Sequence, residues 1–137
     1  MPFVEGNYRT NPAKRVLVGH SYGGLFALYS LFEAPDLFES MVIGSPTLTY
    51  GKRYMFQREE AFAKERKQLA VRIYLFAGEL EEGADDTTMT DTLRLAAILQ
   101  GRNYEGLTLV KKVFEDSNHC DVFAPGYQAG LKFALKR

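Results

Sequence analysis

A single cysteine, Cys120, and only two histidines, His20 and His119, leave this chain without the means for an intrachain disulfide or a Cys/His zinc site. Tryptophan is absent, and so is an excess of either charge, since seventeen Lys plus Arg face seventeen Asp plus Glu. That balance removes the broad electrostatic attraction on which nucleic-acid and anionic-membrane binding rest. Long hydrophobic runs are missing too. The densest, Arg15 to Gly19 and Leu25 to Phe32, fall short of the ~20 apolar residues that cross a bilayer. Met1 to Thr10 has neither a basic start nor a continuous apolar stretch before a small-residue cleavage site, so no signal peptide and a cytoplasmic location are expected. With no repeat, low-complexity tract or linker, the 137 residues are expected to form a single domain, 1–137.

What is present is an alternation of short β-rich runs and longer helical ones. Arg15 to Gly19 is apolar without polar alternation, which suits a parallel strand buried on both faces. A helix is expected over Tyr22 to Ala34, opened by Gly23 and Gly24 and stopped by Pro35. Ser40 to Gly44, Val71 to Ala77 and Leu107 to Phe114 read as further strands, and Tyr54 to Leu69, Thr87 to Leu99 and Tyr127 to Lys136 as helices. Strands alternating with helices predict βαβ units. The expected fold is α/β, a three-layer α/β/α arrangement around a mostly parallel sheet of about four strands.

In such a sheet, ligands bind beyond the carboxyl ends of the strands. After the first strand comes Gly19-His20-Ser21-Tyr22-Gly23, which matches G-x-S-x-G between a strand and a helix. Its glycines permit a sharp turn that exposes the Ser21 hydroxyl with a helix N-terminus behind it, where backbone N–H groups can meet an oxyanion. Serine needs a base within hydrogen-bond reach. His20 adjoins Ser21, and adjacent side chains diverge, so it reads as a residue that braces or packs the elbow. His119, in the polar loop Glu115 to Asp121 past the last strand, fits the base of a Ser, acid, His chain order. The acid belongs after the third strand, in Phe76-Ala-Gly-Glu-Leu-Glu-Glu-Gly83. An acid three residues past Gly78 has room to curl back, which favours Glu81 over Glu79 and Glu82. Asp85 and Asp86 fit the start of the next helix better, and a Ser-His dyad stays open.

Other residues carry blander readings. Cys120 beside His119 reads as a small loop residue, because adjacent side chains rarely serve each other as nucleophile and base. Tyr50, Tyr54, Met55 and Phe56 could line an acyl pocket, but an apolar stripe at helical spacing is more often core or interface. Lys64, Arg66 and Lys67 with Glu59, Glu60 and Glu65 read as a solvated helix face.

Taken together, Gly19-His-Ser-Tyr-Gly-Gly-Leu-Phe-Ala-Leu28, Pro35-Asp-Leu-Phe38, Gly44-Ser-Pro46, Ala77-Gly-Glu-Leu-Glu81, Asp116-Ser-Asn-His119 and Gly130-Leu-Lys-Phe133 resemble the "putative esterase" group of α/β-hydrolases, which includes esterase D-like and ferric-enterobactin esterase-like enzymes. The resemblance implies a serine carboxylic-ester hydrolase that acts on small or moderately sized esters through an acyl-enzyme, with no metal or organic cofactor. Ser21 matches the nucleophile, His119 the base, and Glu79 to Glu82 the acid position. Tyr22 matches the residue whose backbone N–H is one oxyanion donor. The match corresponds to the carboxyl-terminal half of such enzymes, with Pro2 to Glu5 resembling the end of the helix before the elbow strand. The earlier strands, and the loop that supplies the second oxyanion N–H, have no counterpart in these residues. The outer edge of Arg15 to Gly19, with Phe3, Val4, Tyr8, Phe26 and Tyr29, is therefore expected to be open and to pair with another copy in a homo-oligomer. A hydrolase remnant serving as a binding or assembly module, and an acyltransferase, are the competing readings.

Overall fold

The computed structural model describes residues 2–136. Its elements run α1 (Pro2–Asn7), β1 (Val16–His20), α2 (Tyr22–Glu33), β2 (Ser40–Gly44), α3 (Tyr50–Glu65), β3 (Arg72–Gly78), α4 (Thr88–Gly101), β4 (Thr108–Phe114) and α5 (Phe123–Leu135). The strands lie in sequence order, β1-β2-β3-β4, and each neighbouring pair is parallel. The fold is α/β. Register brings the strand ends level, with His20 opposite Gly44, Gly44 opposite Phe76 and Gly78 opposite Phe114. Residues that follow those ends therefore gather along one edge of the sheet.

Because successive strand side chains point to opposite faces, β2 and β3 feed two separate cores. Met41, Ile43, Ile73 and Leu75 pack with Leu28 and Leu31 of α2, Phe62 of α3, and Leu95 and Leu99 of α4. The alternate residues Val42, Tyr74 and Phe76 pack with Val122 and with Tyr127, Phe133 and Ala134 of α5. Three helices thus cover one face and α5 the other, which is why both central strands read as continuous apolar runs. Each large apolar side chain buried this way contributes about 1.5–3 kcal/mol. The second layer depends on glycine at one point, since a Cβ on Gly126 would fall 2.0 Å from Cε2 of Phe76.

The two outer strands differ. In β4, Thr108, Lys111 and Lys112 are exposed, and charged side chains guard that edge. In β1, Val16 and Leu17 are half-buried and Val18 is 39% exposed. Burial on both faces, expected from the unbroken apolar run, is incomplete: Leu17 packs against the larger core and Val16 against the smaller one, but β1 is the outermost described strand and both residues stay half-buried.

Helix boundaries depart from the pattern at the start of α5, which is Phe123 rather than Tyr127, and at the end of α3. The segment assigned to α3 opens with Gly51, Lys52 and Arg53 in the left-handed region, at φ 59, 57 and 62, so right-handed helix begins at Tyr54 as expected. Left-handed backbone costs roughly 1–2 kcal/mol per non-glycine residue. It is anchored by Arg53, whose Nε donates to both carboxylate oxygens of the buried Asp91 at 3.2 and 3.0 Å. The helix ends at Glu65 rather than Leu69, because Arg66 is extended and the Leu69 N–H donates instead to the Glu105 carbonyl at 2.9 Å.

Candidate active site

Ser21 sits on the turn between β1 and α2 with φ 57 and ψ −119, a strained conformation for a residue with a side chain. Backbone bonds on both sides hold it there: its N–H donates to the Gly44 carbonyl at 3.0 Å, and its carbonyl accepts from Thr47 N–H at 3.2 Å. Gly19 allows the tight return, since a Cβ there would lie 2.1 Å from the Gly23 carbonyl oxygen. Immediately behind the serine hydroxyl, α2 starts at Tyr22. The N–H groups of its first turn have no intrahelical acceptor and carry the positive end of the helix dipole. Any negative charge on a group held at Ser21 would meet them.

His119 lies in the loop between β4 and α5, with its side chain 45% exposed. Its Nδ1 is 2.8 Å from Oε2 of Glu81, which is 1% exposed. A carboxylate oxygen accepts, so Nδ1 donates to Glu81 and Nε2 is the nitrogen that this contact leaves turned away. The other oxygen of Glu81, Oε1, accepts the Ser45 hydroxyl at 2.6 Å and the Gly78 N–H at 2.7 Å. With both oxygens occupied, the buried carboxylate has one orientation. The neighbouring acids are engaged elsewhere: Glu79 accepts the Asp116 N–H at 3.1 Å and Glu82 the Thr90 N–H at 2.9 Å. Asp86 accepts the Thr88 N–H at 2.9 Å, and Asp85 is exposed. The structure therefore brings Glu81, not Glu79 or Glu82, to His119.

The Ser21 hydroxyl does not hydrogen-bond His119 directly. Its partner is Thr47 Oγ1 at 3.4 Å, and the proximity of base and elbow is carried instead by His20, whose ring centroid is 4.5 Å from that of His119. His20 also places Nε2 at 3.0 Å from the His119 carbonyl oxygen. Burial, and secondarily the neighbouring His119, push the His20 pKa below its ordinary value. The arrangement provides a half-buried hydroxyl on strained backbone, an imidazole oriented through Nδ1, and N–H groups without intrahelical acceptors at a helix start.

Ser45 and Thr47 carry little signal in the sequence: Ser45 stands in Gly44-Ser-Pro46, straight after a buried strand at the carboxyl edge. The suggested pocket residues divide, with Met55 buried in the larger core and Phe56 packed against it, while Tyr50 and Tyr54 stay exposed. Tyr50 meets Tyr22 edge to face at 6.1 Å, so it belongs to the surroundings of the elbow. Cys120 is exposed.

The model of the family described as "Putative esterase" matches residues 1–129. The chain belongs to this esterase family. It is 27% identical over 136 residues to the ferri-bacillibactin esterase of Bacillus subtilis, covering 98% of this chain and 47% of that protein. It is also 27% identical over 158 residues to the siderophore enterobactin esterase of Emericella nidulans, covering 96% of this chain and 51% of the relative. In structure it is similar to the BES protein from Bacillus cereus, with a TM-score of 0.87 and 27% identity over 99% of this chain and 52% of that one. This family member thus spans about half the length of the relatives it matches. Among its described residues no helix is long and apolar enough to cross a membrane.

Proposed function

We propose that this esterase-family chain hydrolyses carboxylic esters through a serine acyl-enzyme, with Ser21 as nucleophile, His119 as base and Glu81 as the acid that orients it. The observation that carries the reading is the 2.8 Å pair between His119 and a buried, fully engaged Glu81 beside a strained serine elbow. Hydrogen bonds of a catalytic serine are often long without substrate. Turning the Ser21 hydroxyl from Thr47 toward His119 Nε2 completes the relay. Ser21 Oγ then bonds to the ester carbonyl carbon while its proton passes to Nε2, and the carbonyl oxygen takes up the negative charge opposite the Tyr22 N–H. Collapse breaks the bond to the alcohol, which leaves with the proton from the imidazolium. Water repeats the sequence on the acyl group, and Glu81 remains ionised throughout.

The names of the relatives point to esters of the siderophore class as substrates. A second copy of the chain is the proposed partner. The unguarded β1 edge and the exposed Val18, Phe26 and Tyr29 support a homo-oligomer that covers this face. Incubation with a fluorophosphonate probe, followed by mass spectrometry of the modified peptide, tests the chemistry. Label on Ser21 that disappears in Ser21→Ala is expected. Folded protein that takes no label would instead favour the binding-module reading.

A further inference from the structure

His20 is the one imidazole the proposed reaction does not use, yet it makes the contact that joins the elbow to the loop of the base. Its Nε2 is 3.0 Å from the carbonyl oxygen of His119, ninety-nine residues away in sequence. A carbonyl oxygen only accepts, so Nε2 carries the hydrogen. The opposite nitrogen, Nδ1, is buried without a hydrogen-bond partner, which disfavours a second proton there, and burial lowers the pKa of the ring in the same sense. The ring itself is boxed in. It meets Phe123 edge to face at 5.6 Å and Tyr127 at 6.4 Å, and the His119 imidazole lies across it at 4.5 Å with a 37° tilt.

We propose that His20 is a positioning residue: its Nε2–H holds the backbone of His119, and its ring braces the His119 imidazole over the elbow. The inference rests on the hydrolase reading above. His20 cannot itself serve as the base, because its Nε2 is committed to the carbonyl and its Nδ1 faces the interior. The clamp has a mechanical reason. Ser21 follows β1 and His119 follows β4, so the two reacting groups are supplied by the two outer strands, and the loop after β4 has to reach back past β3 and β2 to meet the elbow. Glu81, reaching from the loop after β3, orients the His119 ring from one side only. A second tie is needed to fix the distance from that ring to the serine, and the residue next to the serine provides it.

Charge favours the same state. The titratable groups around His20 are His119, Glu81 and Tyr127, and burial together with His119 outweighs the opposing pull of the Glu81 carboxylate and the nearby carbonyls. A neutral ring beneath His119 does not oppose the imidazolium that forms when Ser21 gives up its proton; a charged one would.

The test pairs His20→Phe, which keeps a ring and removes the donor, with His20→Gln, whose amide N–H can still reach a carbonyl. His20→Phe is expected to lower kcat by about ten- to a hundredfold with KM changed less than about threefold, as a slightly misplaced base requires. His20→Gln should recover part of that kcat even if it melts no higher. Nitrogen-15 NMR of the wild-type imidazoles reads the clamp without any turnover, and His20 should be the Nε2–H tautomer at neutral pH. Wild-type kcat in folded His20→Phe, no recovery in His20→Gln, or His20 found charged or as the Nδ1–H tautomer would each overturn the proposal. If the wild type fails to take the fluorophosphonate label, the hydrolase reading falls and the positioning role with it. Label on Ser21 combined with an indifferent His20→Phe sinks the positioning role alone.

Discussion

Ser45 donates its hydroxyl to Glu81 Oε1 over 2.6 Å, on the carboxylate oxygen that His119 leaves free. Ser45 is itself fully buried and held at φ 40, immediately after β2, so the contact is built into the backbone rather than borrowed from a mobile side chain. The Glu81 carboxylate therefore reaches His119 already aimed, with its two oxygens engaged by Ser45, Gly78 and His119.

Removing that donor should be felt in both stability and rate. Ser45→Ala leaves Oε1 with the Gly78 N–H alone, and losing one hydrogen bond to a buried charged group costs about 1–3 kcal/mol. Urea unfolding should register that loss, and ester turnover should fall about tenfold through kcat as the carboxylate loses its fixed orientation. Full activity in a destabilised Ser45→Ala would separate the two effects and confine Ser45 to stability.

The acid itself is separable from its neighbours by amide substitution. Glu81→Gln replaces the oriented charge with a dipole and lets the His119 ring take the wrong tautomer, so kcat should drop by ~10³-fold or more. Glu79→Gln and Glu82→Gln touch only the backbone N–H groups of Asp116 and Thr90 and should stay within about threefold of the wild type. Kinetics on a p-nitrophenyl ester would rank the three, and an order led by Glu79→Gln would move the acid.

Much of this site was legible because its parts lie at strand ends. The elbow announces itself by Gly19, Ser21 and Gly23 between an apolar run and a helix, and His119 and Glu81 follow from where the next strands must stop. Ser45 and Thr47 carried no comparable signal. A lone hydroxyl after a buried strand has no spacing to recognise, and its partner is assigned only once β2 and β3 are in register. The tie between His20 and the His119 carbonyl is hidden for a similar reason, since it depends on the breadth of the whole sheet. The left-handed turn at Gly51 to Arg53 has a signal only at Gly51, because Lys52 and Arg53 are residue types that seldom take positive φ. For β1 the difficulty was physical: Val-Leu-Val reads the same whether one edge or both are paired, and only the strand order reveals that it ends the sheet.

The depressed pKa of His20 makes a prediction about stability against pH. In the unfolded chain His20 titrates at the ordinary 6.5, whereas in the folded protein burial holds it lower. Below pH 6.5 the unfolded state therefore binds a proton that the folded state refuses, and stability falls with pH until the folded value is reached. Above that window the contribution of neutral His20 is fully present. Urea midpoints measured at about pH 8 and about pH 5.5 should fall further for the wild type than for His20→Gln, whose side chain does not titrate. Equal declines would mean that His20 is charged as easily in the folded protein as in the unfolded one.

The last prediction concerns the outer edge of β1, with which no other described strand pairs. Two strands end this sheet, and they are treated differently: β4 shows Lys111 and Lys112 to solvent, whereas β1 presents Val16, Leu17 and Val18 with no charge among them. Lysine on an edge strand discourages pairing because a second strand would have to bury its charge, and β1 has no such deterrent. Phe26 and Tyr29 of α2 add apolar surface, 59% and 45% exposed, and Phe3 and Tyr8 are 72% and 65% exposed. Light scattering coupled to size exclusion at micromolar concentration should accordingly find a discrete oligomer, most simply a dimer with two-fold contacts. Val18→Lys places on β1 the kind of charge that β4 already carries, and should shift the population toward monomer without changing the cores on which the fold depends. A monodisperse monomer for the unaltered chain would show that this face is not a contact between copies, and an oligomer indifferent to Val18→Lys would locate the contact elsewhere.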